Sequence, residues 1–302
     1  MTNVECRMVL PSGFDFDIRH SSFVIDMCEH CDDTGWKAIT SDGVRRVVRC
    51  DCWKDSLNKR LLDEARIPPR YRSCSFDNFK VYPNERLVNA IARVRRFAES
   101  FPAVSKGICL IGPHGIGKTH LAVATLRAAI AGGSPALFYE VSDLLRVIRS
   151  TYNPLTKTAE MDVLQPLLKV PLLVLDDVGK EKTSEWVEET MTFIVNSRYN
   201  DRLVTIFTSN YEDTPDIDAL DSLRVRVGSR MYSRMHEMCD FIEYGGADYR
   251  LLPPNPGVDD LMALWKVAGE QKSKLPARAK GPVRAEIKPG KELGWSGGKS
   301  GT

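Results

Sequence analysis

A glycine-rich segment before a lysine and a threonine has the spacing of a phosphate-binding loop. The segment fits the pattern G-x-x-x-x-G-K-[ST], and it consists of Gly112, Pro113, His114, Gly115, Ile116, Gly117, Lys118 and Thr119. Glycines let the backbone curl so that its N–H groups point at nucleotide phosphates, and the N-terminus of the helix predicted to follow adds partial positive charge. We therefore expect Lys118 to neutralise phosphate oxygens and the Thr119 hydroxyl to bind Mg²⁺.

Two adjacent aspartates end an apolar run farther along the chain. Residues 172–175 are Leu-Leu-Val-Leu, and Asp176 and Asp177 follow directly. Phosphoryl transfer is catalysed mainly by positioning and charge stabilisation, so we expect Asp176 to complete the Mg²⁺ shell and Asp177 to orient the attacking water. Two aspartates after a buried strand can also form a turn or a helix cap. Together with the phosphate-binding loop, they favour a nucleotide site.

An asparagine follows the next apolar run, 203–207, in the sequence Thr208-Ser209-Asn210. An amide at the end of a central strand can hydrogen-bond the attacking water or the γ-phosphate, which makes Asn210 a candidate nucleotide sensor. The alternative role for such a residue is to cap a loop.

Arginines recur in a later segment that is predicted to be helical. Arg226, Arg230 and Arg234 follow one another at i, i+4, so we expect them to share one helix face. Such a row can be a solvated basic stripe. The other interpretation is that one or two of these side chains reach the γ-phosphate of a neighbouring subunit, where an arginine can be worth ~10³ to 10⁵ in rate.

Four of the eight cysteines lie close together near the N-terminus. Cys28 and Cys31 form a C-x₂-C pair, and Cys50 and Cys52 form a C-x-C pair after residues 32–49, close to the spacing of structural zinc sites. In a segment with little hydrophobic core, the free energy of Zn²⁺ binding would drive folding. The second pair is tighter than usual, and His30 could replace one thiolate. A redox pair or unligated thiols are the alternatives.

Hydrophobic patterning predicts the elements that position these residues. Short apolar runs typical of buried parallel strands alternate with helical patterns. This alternation predicts an α/β fold with a parallel sheet covered on both faces. Ser142 and Ser184 are expected to cap two of the helices. The predicted strands are 107–111, 136–140, 172–175 and 203–207, and the predicted helices are 120–131, 142–152 and 184–199.

The length of 302 residues suggests about two domains, and the composition divides the chain into three parts. We assign residues 1–66 to a cysteine-rich module ending in a helix at 57–65, and residues 67–253 to a nucleotide-binding domain. Residues 254–302 are predicted to form a short helix, 259–268, and a flexible basic tail. The tail has eight Lys or Arg and three Glu over 270–302, so it is either simply solvated or weakly attracted to phosphate backbones.

The overall charge and hydropathy exclude several classes of protein. With 42 Lys plus Arg and 40 Asp plus Glu, the formal charge of +2 gives no whole-molecule argument for nucleic acid or membrane binding. No apolar run approaches the ~18 to 20 residues of a membrane-spanning helix, and residues 1–12 lack a secretory signal. We expect a cytoplasmic protein with no membrane partner, whose cysteines serve thiol or metal chemistry.

Taken together, these motifs resemble those of the DnaC-like and IstB-like helicase-loader ATPases of bacteria and their phages, within the AAA+ class. The resemblance extends from the cysteine module to about Arg250. The matching segments are Ile-Pro-Pro-Arg-Tyr-Arg at 67–72, Ser-Phe-Asp-Asn-Phe at 75–79, Gly-Lys-Thr-His-Leu-Ala at 117–122, Leu-Asp-Asp-Val-Gly at 175–179, Thr-Ser-Asn at 208–210, Gly-Ser-Arg-Met-Tyr-Ser-Arg-Met at 228–235 and Asp-Tyr-Arg at 248–250.

The resemblance implies a fold and a set of roles. The family has a three-layer α/β/α P-loop domain, binds ATP and Mg²⁺, and forms ATP-dependent homo-oligomers on single-stranded DNA. By similarity His120 would lie at the nucleotide and Asn210 would be sensor 1. Arg234 would be the arginine finger, with Arg230 beside it, and Arg250 would be sensor 2 within its own subunit. Gly-Ser-Arg at 228–230 replaces the Gly-Glu-Arg expected from the family.

The same resemblance implies partners. Family members deliver a hexameric replicative helicase, and their N-terminal module typically contacts it. We therefore expect an ATP-dependent helicase loader acting in DNA replication. One alternative is a transposase-helper ATPase, which is disfavoured because IstB-like proteins usually lack the cysteine module. Another is a zinc-dependent DNA-binding adaptor with a nucleotide switch, in which Arg45, Arg46 and Arg49 could touch nucleic acid.

Overall fold

A computed structural model describes residues 28–270, except residues 33, 42, 82–83, 154–158, 182–183, 215–220 and 253–256. Its strands are β1 (Trp36–Ser41), β2 (Val44–Arg49), β3 (Gly107–Ile111), β4 (Ala136–Glu140), β5 (Leu172–Asp176), β6 (Val204–Ser209) and β7 (Cys239–Glu243). Its helices are α1 (Cys52–Glu64), α2 (Glu85–Ser100), α3 (Lys118–Ala131), α4 (Val141–Ser150), α5 (Glu160–Lys169), α6 (Glu185–Asn200), α7 (Leu223–Val227), α8 (Ser229–Met238) and α9 (Val258–Glu270). Within these ranges, no helix combines the length and the apolar character that a membrane span requires.

Strands β3 to β7 form one parallel sheet in the order β4-β5-β6-β3-β7. Strand β6 lies between β3 and β5, so the glycine-rich loop and the two aspartates leave the same edge of the sheet one strand apart. The four predicted strands are confirmed. Strand β7 was not predicted. Among the described strands it pairs only with β3, and its exposed Asp240 and Glu243 interrupt the apolar run that marks a central strand.

Both faces of the sheet are covered by helices, because alternate side chains of each strand point to opposite faces. In β3, Ile108 and Leu110 pack in a cluster with α1, α2 and α3. Cys109 and Ile111 pack in a second cluster with α4, α5, α6 and α8. The predicted three-layer α/β/α P-loop fold is therefore confirmed.

Helix starts match the predictions only in part. The Ser184 hydroxyl accepts a hydrogen bond from the Val187 N–H and caps α6, as predicted. The prediction for Ser142 is wrong, because α4 already begins at Val141 and Ser142 lies inside its first turn. Helices α2 and α5 were not predicted. In α5 the internal Pro166 disguises the helical pattern.

Helix α1 connects the cysteine-rich segment to the sheet domain. It is longer than the predicted 57–65, and its Leu61 lies in the same core as α3. Just after it, the Ala65 carbonyl accepts a 2.9 Å hydrogen bond from the Phe138 N–H. At the other end, α9 corresponds to the predicted 259–268 and buries Leu261 in that core. The division at residue 66 stays a prediction, and the tail at 271–302 lies outside the described residues.

Candidate nucleotide and metal sites

A cavity of about 640 Å³ lies at the edge of the sheet where the parallel strands end. It is large enough for a nucleotide-sized ligand. Of the residues predicted to bind nucleotide or metal, it is lined by His114, Gly115, Gly117, Lys118, Thr119, His120, Asp176, Asp177, Asn210 and Arg250.

The glycine-rich loop connects β3 to α3 and has little room for side chains. Gly117 has a φ of +93°, and a Cβ atom there would come within 2.5 Å of the Phe79 ring. Gly115 has a φ of +74°, and a Cβ atom there would come within 1.6 Å of the Asp248 carboxylate. These positions therefore require glycine, for both backbone conformation and space. The loop ends at Lys118, the first residue of α3, so the positive end of that helix dipole faces the cavity.

Lys118 is buried at the floor of the cavity. Its Nζ donates hydrogen bonds to the carbonyl oxygens of Gly112 (2.8 Å) and Pro113 (2.7 Å) and to Oδ1 of Asn210 (2.7 Å). Burial disfavours the charged ammonium and lowers the Lys118 pKa to about 8. Ile116, by contrast, points into the core beneath the loop.

Thr119 and Asp176 form a pair of oxygen ligands. The Thr119 hydroxyl donates to Oδ1 (2.9 Å) and Oδ2 (3.1 Å) of Asp176. The Thr208 hydroxyl donates to the same carboxylate at 2.6 Å. Burial raises the Asp176 pKa to about 6. A hydroxyl and a carboxylate held this close are the donor set that Mg²⁺ prefers, so these residues fit the metal they were predicted to bind.

Asn210 bridges Lys118 and Asp177. While its Oδ1 accepts from Lys118, its Nδ2 donates to Oδ1 of Asp177 at 2.9 Å. Asp177 has a left-handed backbone, with φ 58°, and its N–H donates to the Thr208 hydroxyl at 3.0 Å. This turn directs the Asp177 side chain toward the cavity. The fold thus joins three predicted site residues, from three separate segments, in one hydrogen-bond network.

Four charged residues that line the cavity were not predicted as site residues: Arg70, Lys80, Glu140 and Lys180. The last two form an ion pair beside Asp177. Nζ of Lys180 lies 2.6 Å from Oε1 of Glu140 and 3.7 Å from Oδ2 of Asp177. Glu140 ends strand β4 at the same edge of the sheet. Its position at the end of a predicted strand is the signal that could have identified Glu140 as a site residue. Lys180 follows Asp177 by three residues in a loop, and no periodic pattern marks it.

One wall of the cavity comes from the segment before α2 and from the segment around Tyr249. The Phe79 ring meets the His120 ring edge-on, with centroids 5.1 Å apart, and a His120 ring nitrogen bonds the Ser75 carbonyl at 2.8 Å. Burial lowers the His120 pKa. Tyr249 donates its N–H to the Gly115 carbonyl at 3.0 Å, which ties the segment before Arg250 to the glycine-rich loop.

Arg230 and Arg234 do not line this cavity. Gly228, with a φ of 82°, separates α7 from α8, so the prediction of one face shared by Arg226, Arg230 and Arg234 is wrong. Arg230 is exposed on α8, and Arg234 donates to its carbonyl oxygen at 3.0 Å. Only Arg250 among the predicted arginines borders the nucleotide cavity within this chain.

Arg226 instead fastens the loop that follows Asp177. Its guanidinium donates to the carbonyl oxygens of Gly179 (2.8 Å) and Lys180 (3.1 Å) and to the Tyr211 hydroxyl (2.9 Å). It also lies over the Tyr211 ring, 4.7 Å from the centroid. Because Tyr211 follows Asn210, this one side chain joins the loops that carry Asp177 and Asn210.

We expect Arg226→Ala to lower the free energy of unfolding by about 1 to 3 kcal/mol and to slow ATP turnover. The substitution leaves backbone carbonyls without a charged donor and loosens both loops. Denaturant titration and a steady-state ATPase assay measure the two effects. Arg224→Ala, on the same short helix, is the matched control. Equal losses in both variants would show that the contacts of Arg226 are not the cause.

A bell-shaped pH dependence of kcat/KM for ATP is expected from two buried charges. Below about pH 6 the Asp176 carboxylate becomes protonated, and because it is then neutral it binds Mg²⁺ less well. Above about pH 8 Lys118 loses the charge that attracts phosphate. kcat/KM reports the free enzyme, so each limb should change tenfold per pH unit. A flat profile between pH 5 and pH 9 would contradict the assignment.

The four clustered cysteines converge at the base of the β1–β2 hairpin. Their sulfur atoms all lie within 4.8 Å of one another, with Cys28 and Cys50 at 3.7 Å and Cys31 and Cys52 at 3.3 Å. Tetrahedral Zn²⁺ with bonds of about 2.3 Å requires sulfur separations of about 3.8 Å. The cluster therefore fits a Cys₄ zinc site, and His30 is not a member of it.

Comparisons with known proteins agree with this architecture. Residues 55–253 match the model of the IstB-like ATP binding protein family. The replicative helicase loader DnaC of Escherichia coli (strain K12) is 27% identical over 177 residues, which are 59% of this chain and 69% of that protein. The replicative helicase loader DnaC of Buchnera aphidicola subsp. Acyrthosiphon pisum is 30% identical over 178 residues, again 59% and 69%.

A solved structure supports the same assignment. A crystal structure of the DnaC helicase loader covers 58% of this chain and 99% of that one, with 31% identity and a TM-score of 0.52. The matched family region contains the glycine-rich loop, both aspartates, Asn210 and Arg250. As the motifs predicted, the chain belongs to the family of IstB-like ATP binding proteins.

Proposed function

We propose that this protein is an ATPase of DNA replication that loads a hexameric replicative helicase onto single-stranded DNA. The observation that carries the proposal is the hydrogen-bonded network of Lys118, Asn210 and Asp177 beside the Thr119–Asp176 pair. Such a network provides positioning and charge stabilisation, the two requirements of phosphoryl transfer. Similarity to helicase loaders of the same family supports the biological role.

The site residues divide the work of γ-phosphate hydrolysis. Lys118 exchanges its three acceptors within the protein for phosphate oxygens, which releases Oδ1 of Asn210. Asp177 then accepts a hydrogen bond from the attacking water, and Asn210 orients that water or the γ-phosphate. As the water oxygen bonds to phosphorus, the bond to the β-phosphate oxygen breaks, ADP leaves with that oxygen, and the proton of the water passes to the Asp177 carboxylate. Bound Mg²⁺ would neutralise charge on the phosphates, held by Thr119 and Asp176.

The remaining arginines act at the two sides of the nucleotide. Arg250, which borders the cavity, contacts the nucleotide within its own subunit. Arg234, with Arg230 beside it on α8, completes the site of a neighbouring copy when ATP drives formation of a homo-oligomer. Arg230 is exposed and Arg234 is half-buried on α8, and both lie outside the nucleotide cavity of their own chain.

The cysteine-rich module adds a second function. We infer that Zn²⁺ bound by Cys28, Cys31, Cys50 and Cys52 folds the module and that the module within residues 1–66 contacts the helicase. The cytoplasm, where replication proteins and their helicase meet, is the proposed location. Assistance to a transposase is the second candidate function, favoured by membership in the IstB-like family but not by the cysteine cluster.

A loading assay tests the proposal. The full chain is incubated with candidate hexameric helicases, circular single-stranded DNA and ATP, and helicase retained on the DNA is measured after isolation. ATP-dependent retention is expected, and the Lys118→Ala variant should abolish it. Binding to no helicase, together with stimulation of a transposase, would contradict the loader role and favour the second candidate. DNA binding that is independent of nucleotide, with negligible turnover, would favour an adaptor.

A further inference from the structure

The β1–β2 hairpin has two faces whose residues are defined by its register. In an antiparallel pair, directly opposite residues lie on the same face. Trp36 pairs with Arg49, Ala38 with Val47, and Thr40 with Arg45. We call the face formed by these six residues the tryptophan face. The opposite face is formed by Lys37, Ile39, Ser41, Val44, Arg46 and Val48.

The tryptophan face is exposed although it carries large apolar side chains. Trp36 is 55% exposed and Val47 is 67% exposed. Neither contributes to the two hydrophobic cores, so folding of the sheet domain does not explain them. Within the described ranges, the hairpin pairs only with itself. The opposite face also exposes Ile39 (39%) and Val44 (54%), so apolar exposure marks the hairpin as a binding surface, and the charged and aromatic groups distinguish its two faces.

The charge of the hairpin identifies the kind of partner. Over residues 36–49 the sequence has Lys37, Arg45, Arg46 and Arg49 but only one acidic residue, Asp42. Lys37 is neutralised by Asp51 at 2.7 Å, and it lies on the opposite face. Arg45 and Arg49 are exposed on the tryptophan face. They lie four residues apart on one strand, roughly 13 Å, so the face presents a line of positive charge.

Aromatic and cationic groups are also adjacent on this face. The Arg49 guanidinium lies 6.0 Å from the centre of the Trp36 ring and 4.7 Å from that of Trp53. An exposed ring beside one arginine, with a second arginine farther along the same face, is a combination that binds single-stranded nucleic acid, because a base stacks on the ring while the cations contact the backbone. A protein partner would use the apolar side chains but has no general need for the line of arginines.

We propose that the tryptophan face binds single-stranded nucleic acid, with Trp36 stacking on a base and Arg45 and Arg49 contacting phosphates. The inference rests on the proposed function, because it assigns a contact surface for single-stranded DNA outside the nucleotide site. Zn²⁺ bound by the four cysteines at the base of the hairpin would hold this face in a fixed shape.

Binding of a fluorescein-labelled oligo(dT) to the full chain, measured by anisotropy without ATP, tests the inference. Trp36→Ala and the pair Arg45→Ala/Arg49→Ala are each expected to weaken binding at least about tenfold. The arginine pair should also reduce the slope of log affinity against log salt by about 1.4, because each phosphate contact on a single strand contributes about 0.7. Ile39→Ala and Arg46→Ala, on the opposite face, are the matched controls and should change affinity much less. Zinc content verifies that each variant is folded.

The comparison of the two hairpin faces decides whether the tryptophan face binds nucleic acid. Equal effects on both faces, or no effect on either, would overturn the inference. Unchanged DNA binding with loss of helicase binding would identify the tryptophan face as a protein surface instead. ATP-dependent helicase retention by the unmodified chain is measured separately. Its absence contradicts the proposed function, even where the tryptophan face binds DNA.

Discussion

ATP turnover is expected to fall at least about 100-fold in each of two single variants, Lys118→Ala and Asp177→Ala. Lys118 is the buried cation nearest the glycine-rich loop, and removing a preorganised charge of this kind costs about 10² to 10³ in rate. Asp177 is the carboxylate that Asn210 orients, and loss of a positioned proton acceptor costs about 10² to 10⁴. Steady-state phosphate release measures both variants.

The two variants should differ in nucleotide affinity. Lys118→Ala is expected to weaken ATP binding as well as turnover, because the ammonium contacts phosphate in the ground state. Asp177→Ala should bind ATP nearly as well as the unmodified protein and fail mainly in kcat. Lys106→Ala, an exposed lysine just before β3, is the control and should leave both quantities unchanged. Unmodified turnover in both site variants would refute the assigned chemistry.

Removal of metal from the cysteine cluster is expected to unfold the β1–β2 hairpin. An isolated two-stranded hairpin is marginally stable in water, and this one has no buried face among the described residues. Structural zinc sites contribute apparent binding free energies of about 10 to 16 kcal/mol, which here would be folding free energy. One Zn²⁺ per chain is therefore expected, and a strong chelator should abolish hydrogen-exchange protection in β1 and β2 while the sheet domain keeps its own.

Single substitutions separate the cluster from the other cysteines. Cys31→Ser and Cys50→Ser, at the two most buried ligands, should release the metal and reproduce the effect of the chelator. Cys239→Ala replaces a buried cysteine of the core and should retain full zinc content. A metal-free protein whose hairpin amides stay protected would show that the four thiols need no ion.

Local sequence patterns predicted the parts of the fold and the site that depend on neighbouring residues. The residues at 112–119 form a phosphate-binding loop because the glycine spacing and the strand and helix around it lie within one short segment. Four of the five strands of the parallel sheet were predicted because each is a short, mostly apolar run, including β4 at one edge of the sheet. The edge strand β7 and the proline-containing α5 were missed, because each breaks the pattern that marks its class.

Local sequence patterns could not predict contacts between segments that are far apart in the sequence. The sequence singled out Lys118, Asp177 and Asn210 one at a time, and only the order of the strands brings their side chains together. Glu140 and Lys180 entered the site in the same way, because β4 lies beside β5.

The three arginines show most clearly which features follow from sequence spacing and which follow from tertiary packing. By itself the sequence determined that a P-loop ATP-binding fold and a cysteine cluster with zinc spacing are present, since both depend on short-range spacing. It placed Arg226, Arg230 and Arg234 on one helix face, because i, i+4 spacing is all that a linear pattern contains. The positive φ at Gly228 breaks that helix, so tertiary packing alone decided that Arg226 fastens the loops that carry Asp177 and Asn210 while Arg230 and Arg234 stay on α8.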